Sequence, residues 1–331
     1  MARRLWRRGG ITKDMPAFAD SLTHVIADDG VFFALACVAT EAVSEASRRH
    51  DCGPLAAIAL GRALAGAALL AALLKDGQYV QLKFEGNGPL GKVIAEAGYD
   101  GWLRGYVAEP RADAPLVAGR LSVAQGLGRA GFLSVKKFIG LPQAYHGMVQ
   151  LCTSEIGEDI AWYLLQSEQK PSYIAVSALA LPNGQVPAAG LLIQPLPGVD
   201  ETALADIEKA LAVLPPLSAL LTEKATSEVI AAKLCQHISH HVTAIRPLRY
   251  KCGCTVEKTR AALATLGAAQ LREILVGEES VGVRCEFCRK SYLFSARELR
   301  QLIDAASADR PSSREPPPSH KEPKVSEQGS L

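Results

Sequence analysis

The chain has 331 residues, of which 48% are hydrophobic and 21% are charged, and its formal net charge is +2 at pH 7. This composition is typical of a soluble globular protein that is long enough for two or more folded units. A net charge so close to zero argues against a dedicated nucleic-acid-binding protein, whose surface would carry a large excess of lysine and arginine.

Both ends of the chain lack the pattern of a folded segment. Residues 1–14 are basic and contain no apolar stretch of signal-peptide length, so we predict a disordered extension and no secretory signal. Residues 307–331 consist largely of Pro, Ser, Lys and Glu, which predicts a disordered tail. A chain without a secretory signal is expected to be cytoplasmic, where thiols stay reduced.

Residues 15–195 predict an α+β core domain. Its first elements are expected to be a pair of helices around Val31–Ser47 and Leu55–Leu74. Alternating apolar and polar residues then predict strands, and the dipeptides Asn87-Gly88 and Asn183-Gly184 predict hairpin turns between them. Helices combined with hairpin-connected strands indicate the α+β class.

The segment Leu55–Leu74 is apolar enough to span a membrane. Much of it is Ala and Gly, however, and it contains Arg62, whose charge would be costly in a lipid bilayer. We therefore predict a helix that is buried in a protein core and no membrane association.

Two motifs in this domain resemble cofactor-binding or catalytic sequences. Gly126–Gly131 matches the G-x-G-x-x-G dinucleotide fingerprint, but the strand-like Phe132–Val135 follows it where the motif requires a helix. Glu155, Glu158 and Asp159 could form an acid–base pair, but acidic residues are also typical of a helix start, which is predicted here. We predict neither a nucleotide site nor enzymatic activity.

Residues 196–250 predict a helical linker. Thr202–Leu214 and Leu217–Ile238 have helical periodicity, and they are too polar for a core and too apolar for a free linker. They are therefore expected to dock on a neighbouring domain. The linker also contains a cluster that allows a second metal site or an exposed histidine-rich turn, of which the turn is the commoner case. The cluster consists of Cys235, His237, His240 and His241.

Four cysteines in the C-terminal part of the chain form two closely spaced pairs. Cys252 and Cys254 form a C-x-C pair, and after thirty further residues Cys285 and Cys288 form a C-x-x-C pair. Four thiolates in two such pairs predict a tetrahedral, structural zinc site. An iron–sulfur cluster also uses four thiolates, but its usual spacings differ from these.

The other cysteines of the predicted core domain are isolated in sequence. We predict that Cys37, Cys52 and Cys152 are buried as small hydrophobic side chains. Oxidants should therefore reach the four paired cysteines before these three.

Residues 251–306 predict a small zinc-binding domain. Thr255 is a candidate helix N-cap, and Ser295 with Glu298 forms a capping-box pattern before an amphipathic helix. A unit of about fifty residues buries too little apolar surface for independent stability, so the metal is expected to supply much of the folding free energy. Removal of zinc should unfold this domain.

Basic residues flank both cysteine pairs. They would offset the negative charge of four thiolates and would favour thiolate over thiol, which raises reactivity toward oxidants. They could instead form a basic rim that contacts phosphates, so a zinc-ribbon nucleic-acid-binding protein is the alternative function. The residues are Arg249, Lys251, Arg284, Arg289 and Lys290.

The chain resembles the redox-regulated holdase chaperones of the thirty-three-kilodalton heat-shock family. The resemblance covers about residues 15–306 and is carried by Lys251–Cys254 and Val283–Cys288 with their spacing. It implies an α+β core domain, a helical amphipathic linker and a small C-terminal zinc-binding domain. Supporting stretches are Ser154–Tyr163, Ser167–Ser172 and Ala188–Gly198.

The family resemblance also implies a mechanism. On oxidation, Cys252 would pair with Cys254 and Cys285 with Cys288, zinc would leave, and the zinc-binding domain and the linker would unfold. The uncovered apolar surface would bind unfolding or oxidatively damaged client proteins without ATP, and the activated chain would form a homodimer. We therefore expect a molecular chaperone of the oxidative stress response that is inactive when reduced and zinc-bound.

Overall fold

The computed structural model describes residues 20–199 and 201–308. The chain divides into two compact units. Among the described residues, the first unit runs to Gly253 and also includes Glu286–Arg289, and the second contains Cys254–Cys285 and continues from Lys290. The predicted extension 1–14 and all but the first two residues of the predicted tail 307–331 lie outside the described residues.

The first unit contains two sheets. The five-stranded sheet has the order β10-β1-β2-β9-β8, and the six-stranded sheet has the order β11-β5-β4-β3-β6-β7. All neighbours are antiparallel except β11, which pairs with β5 in parallel. The strands are β1 (Ser21–Ala27), β2 (Phe32–Val38), β3 (Tyr79–Gly86), β4 (Lys92–Gly98), β5 (Trp102–Val107), β6 (Gly131–Phe138), β7 (Tyr145–Gln150), β8 (Tyr173–Ala178), β9 (Ala188–Pro195), β10 (His240–Pro247) and β11 (Arg249–Tyr250).

Seven helices accompany these sheets in the described part of the first unit. They are α1 (Thr40–Arg49), α2 (Pro54–Ala72), α3 (Val123–Leu127), α4 (Gly157–Glu168), α5 (Glu201–Val213), α6 (Leu217–Thr222) and α7 (Ser227–Leu234). The second unit contains α8 (Val256–Ala264), α9 (Gly267–Leu275), β12 (Ser280–Arg284), β13 (Ser291–Ser295) and α10 (Ala296–Ala308).

Helix α2 forms the centre of the first unit and packs against both sheets. It is long and apolar enough to cross a membrane by length and composition, but most of it is buried inside the protein. Two glycines permit the close packing, since a Cβ atom at Gly61 would lie 2.7 Å from Ala178 and one at Gly66 would lie 2.4 Å from Ile160. Arg62 forms an ion pair with Glu155. The predicted core helix is confirmed.

The helix predicted over Val31–Ser47 is wrong in its first half. Phe32–Val38 is strand β2, and α1 begins at Thr40. Because β2 lies between β1 and β9 and packs apolar residues on both faces, its sequence is a continuous apolar run. Such a run carries no period that distinguishes a buried strand from a buried helix.

Both predicted hairpins are present in the first unit. The turn at Asn87-Gly88 connects β3 to β4, and the turn at Asn183-Gly184 lies between β8 and β9. Of the glycines in the dinucleotide-like motif, only Gly128 lies in the connection between elements, because Gly126 belongs to α3 and Gly131 begins strand β6. The helix that a dinucleotide site requires after its glycines is therefore replaced by a strand.

Asp159 explains the acidic cluster at the start of α4. Its Oδ1 atom accepts hydrogen bonds from the backbone N–H groups of Cys152, Thr153 and Ser154, and its Oδ2 atom accepts one from Ile156. The carboxylate thus satisfies the N–H groups that precede the helix. The helix-start interpretation is confirmed.

Helices α5, α6 and α7 pack on the face of the five-stranded sheet that is turned away from α2. The buried helix residues include Leu220, Ile230 and Leu234. The expected docking of the linker helices is confirmed. After them, however, His240–Pro247 forms strand β10, which pairs with β1 at the edge of the sheet, a strand that the sequence analysis does not predict.

The second unit has its own small core. It is formed by side chains from α8, α9, β13 and α10, and its central residues are Leu271, Phe294 and Leu299. The predicted caps are both confirmed: Thr255 Oγ1 accepts from the N–H of Lys258, and Ser295 and Glu298 form the reciprocal capping box.

Candidate metal centre

The four paired cysteines come together in space. Cys252 and Cys254 follow β11, and Cys285 and Cys288 lie in the turn between β12 and β13. The four Sγ atoms lie within 4.8 Å of one another. In a tetrahedral site with Zn–S bonds of about 2.3 Å, the sulfurs are separated by about 3.8 Å, so this arrangement fits one metal ion.

The donor set is closed and consists entirely of sulfur. Cys288 is buried, and the other three cysteines are half-buried. Soft thiolate donors suit zinc and iron–sulfur centres rather than magnesium or calcium. The C-terminal cysteine cluster can therefore hold a metal ion, and its four protein ligands leave no open position for catalysis.

Two side chains outside the cysteine motifs donate toward the sulfurs. Arg104 Nη1 lies 3.8 Å from Cys252 Sγ, and the Tyr292 hydroxyl lies 3.1 Å from Cys254 Sγ. Donors of this kind favour a thiolate over a thiol. Arg104 comes from β5, almost 150 residues before Cys252, and no sequence signal identifies it.

Arg104 is held by a buried acid. Its guanidinium forms an ion pair with Glu96 at 2.6 Å, and the Glu96 side chain is only 4% exposed. Burial by itself lowers the pKa of Arg104, but Glu96 and Cys252 outweigh that effect and leave the pKa above its ordinary value. The positive charge beside Cys252 is therefore permanent.

Three of the basic residues that flank the cysteine pairs have specific partners. Arg249 forms an ion pair with Asp100, and Arg289 donates from Nε to His50 Nδ1 at 3.1 Å. Lys290 lies over the ring of Tyr292. These contacts indicate that the three residues have structural roles and do not simply surround the sulfurs.

The isolated cysteines differ in exposure. Cys37 is buried and Cys52 is half-buried, and burial raises their pKa values to about 12 and about 11. The prediction that Cys152 is buried is wrong, because its side chain is exposed. Its backbone N–H is held by Asp159 at the loop after β7, which fixes the main chain while the side chain faces solvent.

The residues Cys235, His237, His240 and His241 do not form a second ligand group within the described parts of the chain, where the four paired cysteines are the only such group. Cys235 is buried, and burial raises its pKa to about 11. His240 Nδ1 bonds the Ile238 carbonyl, and His241 Nδ1 pairs with Asp28.

The chain is similar to one well-defined group of known proteins. Residues 20–295 match the model of a family described as Hsp33 protein. The chain is 50% identical over 287 residues to the 33 kDa chaperonin of Desulfotalea psychrophila. This aligned region covers 86% of this chain and 98% of that protein. It is 44% identical over 293 residues to the 33 kDa chaperonin of Pelobacter propionicus, with 88% and 96% coverage.

A solved structure is similar over nearly the same range. The crystal structure of the 33 kDa chaperonin (heat shock protein 33 homolog) of Thermotoga maritima superimposes with a TM-score of 0.80 at 32% sequence identity. The match covers 88% of this chain and 100% of that chain. The similarity therefore includes both the fold and the cysteine-containing region.

Proposed function

The chain belongs to the Hsp33 protein family, and we propose that it is a redox-regulated, ATP-independent holdase chaperone. It is inactive when reduced and zinc-bound, and it binds unfolding proteins after oxidation. The observation that carries this proposal is the group of four cysteine sulfurs within 4.8 Å of one another. Its relatives are named chaperonins, which supports a chaperone rather than an enzyme.

The metal in this proposal is zinc, and its ligands are Cys252, Cys254, Cys285 and Cys288. Bound zinc would join the two cysteine pairs and supply folding free energy, roughly 10–16 kcal/mol in comparable small domains. The small core around Leu271 supports this dependence, because so few buried residues stabilise a unit weakly without a metal.

Oxidation in this proposal forms two short-range disulfides, Cys252–Cys254 and Cys285–Cys288. Each disulfide forms from two thiols that give up two electrons and two protons, and one hydrogen peroxide takes them up to become two waters. The two disulfides together use all four cysteine sulfurs, so no thiolate would remain to bind the metal. The donors Arg104 and Tyr292 support it, because they favour the thiolate form that reacts with peroxide.

The client-binding surface in this proposal is the apolar surface between the linker helices and the five-stranded sheet. Leu217, Leu220 and Ile230 are buried there against sheet residues such as Phe32 and Leu191. Helices as short as α6 and α7 are unstable without tertiary contacts, so loss of their support would uncover both faces. An uncovered apolar face of this kind binds other unfolding chains.

The remaining features of the proposal rest on the family resemblance. The chain comprises a core domain (15–195), a redox-sensitive linker (196–250) and a zinc-binding switch domain (251–306), and these limits stay predictions. The oxidised form is a homodimer, the protein is cytoplasmic, and its partners are unfolded or oxidatively damaged proteins. No catalytic residue is proposed.

A peroxide titration of the reduced, zinc-loaded protein tests the function. Zinc release and suppression of aggregation of a heat-denatured client should rise together, and peptide mapping should find the two short-range disulfides. Cys285→Ser should lose zinc in the reduced state, whereas the matched control Cys152→Ser, which removes an exposed cysteine outside the group, should behave as wild type. Oxidised protein that releases zinc but holds no client would contradict the proposal.

A further inference from the structure

Glu286–Arg289, here called the anchor segment, forms part of the first unit. It contains Cys288 and, directly before it, Phe287. Phe287 contacts the rest of the first unit through both its backbone carbonyl and its ring. These contacts come from the residue that follows α1, from β5 and from β11, which are far apart in sequence.

The carbonyl oxygen of Phe287 accepts two hydrogen bonds. One comes from His50 Nε2 and the other from the Tyr250 hydroxyl, each at 2.9 Å. Because a carbonyl can only accept, the proton of His50 is on Nε2, and its Nδ1 atom accepts from Arg289 Nε at 3.1 Å. The His50 ring therefore joins the Arg289 side chain to the Phe287 carbonyl, and these two hydrogen bonds hold the anchor segment in place.

The ring of Phe287 is held as firmly as its carbonyl. The Arg104 guanidinium lies over the ring at 4.1 Å from its centroid, and the Tyr106 ring meets it edge-on at 5.4 Å. Arg104 is fixed by the buried Glu96, so the ring packs against a side chain with little freedom of its own. The same guanidinium donates to Cys252 Sγ.

Cys288 itself is also held through its main chain. Its carbonyl oxygen accepts a hydrogen bond from Arg49 Nη1 at 3.2 Å, and the Arg49 guanidinium lies over the ring of Tyr250. Arg289 has a φ of 61°, in the left-handed region that is unfavourable for a residue with a side chain. The contacts around the anchor segment stabilise that backbone conformation.

We propose that Phe287 is a positioning residue that holds Cys288 in its reduced arrangement and thereby sets the peroxide concentration at which the switch operates. The inference rests on the redox function proposed above. Closing the Cys285–Cys288 disulfide brings two sulfurs that lie up to 4.8 Å apart to a bond of about 2 Å. A disulfide also restricts the separation of the two Cα atoms, so we infer that its closure shifts the backbone of Glu286 and Phe287, and that the contacts of Phe287 oppose this shift.

The test compares Phe287→Ala with Leu293→Ala, which removes a leucine side chain that is 73% exposed. The measured quantity is the rate at which peroxide converts Cys285 and Cys288 to a disulfide, followed by mass spectrometry of quenched peptides. Phe287→Ala should oxidise about fivefold faster than wild type, which is the rate change that corresponds to the loss of a contact worth about 1 kcal/mol. Leu293→Ala should match wild type.

A milder variant keeps the test decisive if Phe287→Ala folds poorly. Tyr250→Phe removes one hydrogen bond to the Phe287 carbonyl and retains the ring under Arg49, and it should oxidise about two- to threefold faster than wild type. The zinc content of each reduced variant is measured first. Only variants that hold one zinc per chain are compared.

The outcomes separate this inference from the function on which it rests. If both variants oxidise at the rate of Leu293→Ala or more slowly, the positioning role is wrong, whatever the chaperone assay shows. If both oxidise faster but no oxidised form suppresses client aggregation, the positioning role stands and the holdase function is wrong.

Discussion

The hydroxyl of Ser227, in the first turn of α7, lies 2.7 Å from the hydroxyl of Ser21 at the start of β1. It also lies 2.8 Å from the hydroxyl of Thr23. All three side chains are buried, so the hydroxyls of Ser21 and Thr23 both rely on the hydroxyl of Ser227 as a hydrogen-bonding partner. The linker helix is thus attached to the sheet by a polar contact as well as by its apolar face.

Ser227→Ala should weaken the docking of α7. The substitution leaves the buried hydroxyls of Ser21 and Thr23 with one partner fewer, a change that costs about 1–3 kcal/mol. Hydrogen exchange should show faster exchange in α7 while α2 stays protected. Ser218→Ala, at an exposed position of α6, is the matched control, and equal exchange in both variants would contradict the prediction.

Under the proposed function, removal of zinc from the reduced protein should unfold the second unit and leave the core around α2 in the first unit folded. Its core rests on a few buried residues such as Leu271 and Phe294, whereas the first unit has an extensive core around α2. A chelator should therefore reduce helical circular dichroism and abolish protection in α8, α9 and α10. Retention of that protection at full zinc removal would show that the small core is sufficient without metal.

The pH dependence of stability should include a contribution from His24. Burial and then the charge of Arg246 lower the pKa of this residue from 6.5 to about 4. Well above pH 6.5 the side chain is neutral in both states. Between pH 6.5 and 4 only the unfolded state takes up a proton, so the free energy of unfolding falls as pH falls, by up to about 3 kcal/mol.

His24→Gln isolates that contribution from other groups, including the thiolates, which also lose metal in acid. The difference in unfolding free energy between wild type and variant should change across pH 6.5 to 4 and stay constant above it. Nuclear magnetic resonance titration of the His24 ring measures the pKa directly. A value near 6.5 would refute the prediction.

Gly128→Ala should destabilise the first unit and leave any nucleotide affinity unaffected. A Cβ atom there would lie 2.2 Å from Asn87 Oδ1 and 2.5 Å from the backbone nitrogen of Gly88, at a φ of +83°. Gly184 has the same φ with nothing within 4 Å, so Gly184→Ala carries the dihedral cost without the clash. Urea denaturation should show Gly128→Ala as the less stable variant, by about 2 kcal/mol or more.

The local features of the candidate site could be predicted from sequence. The spacing of the four cysteines, the Thr255 cap and the Ser295–Glu298 capping box depend only on neighbouring residues, and the structure contains each of them. The helix α2 was likewise predictable, because its composition and the single charge of Arg62 exclude the alternatives. Each cap, each cysteine pair and the helix itself is specified by residues that lie close together in the sequence.

Strand β2 and strand β10 show the limit of that approach. The apolar run of β2 gives no period to interpret, and β10 follows a helical segment and becomes a strand because the edge of β1 offers it hydrogen-bonding partners. Each is decided by a neighbouring strand that lies elsewhere in the chain. The exposure of Cys152 is decided in the same way, by the loop that Asp159 holds.

The sequence by itself determined which residues form the candidate metal centre, because thiolate chemistry and close spacing restrict four cysteines to few roles. Only the tertiary structure decided what surrounds them. Arg104 reaches Cys252, and His50 and Tyr250 reach Phe287, through the pairing and packing of strands and helices that are distant in the chain. Contacts of that range depend on the whole fold, and no local pattern of residues encodes them.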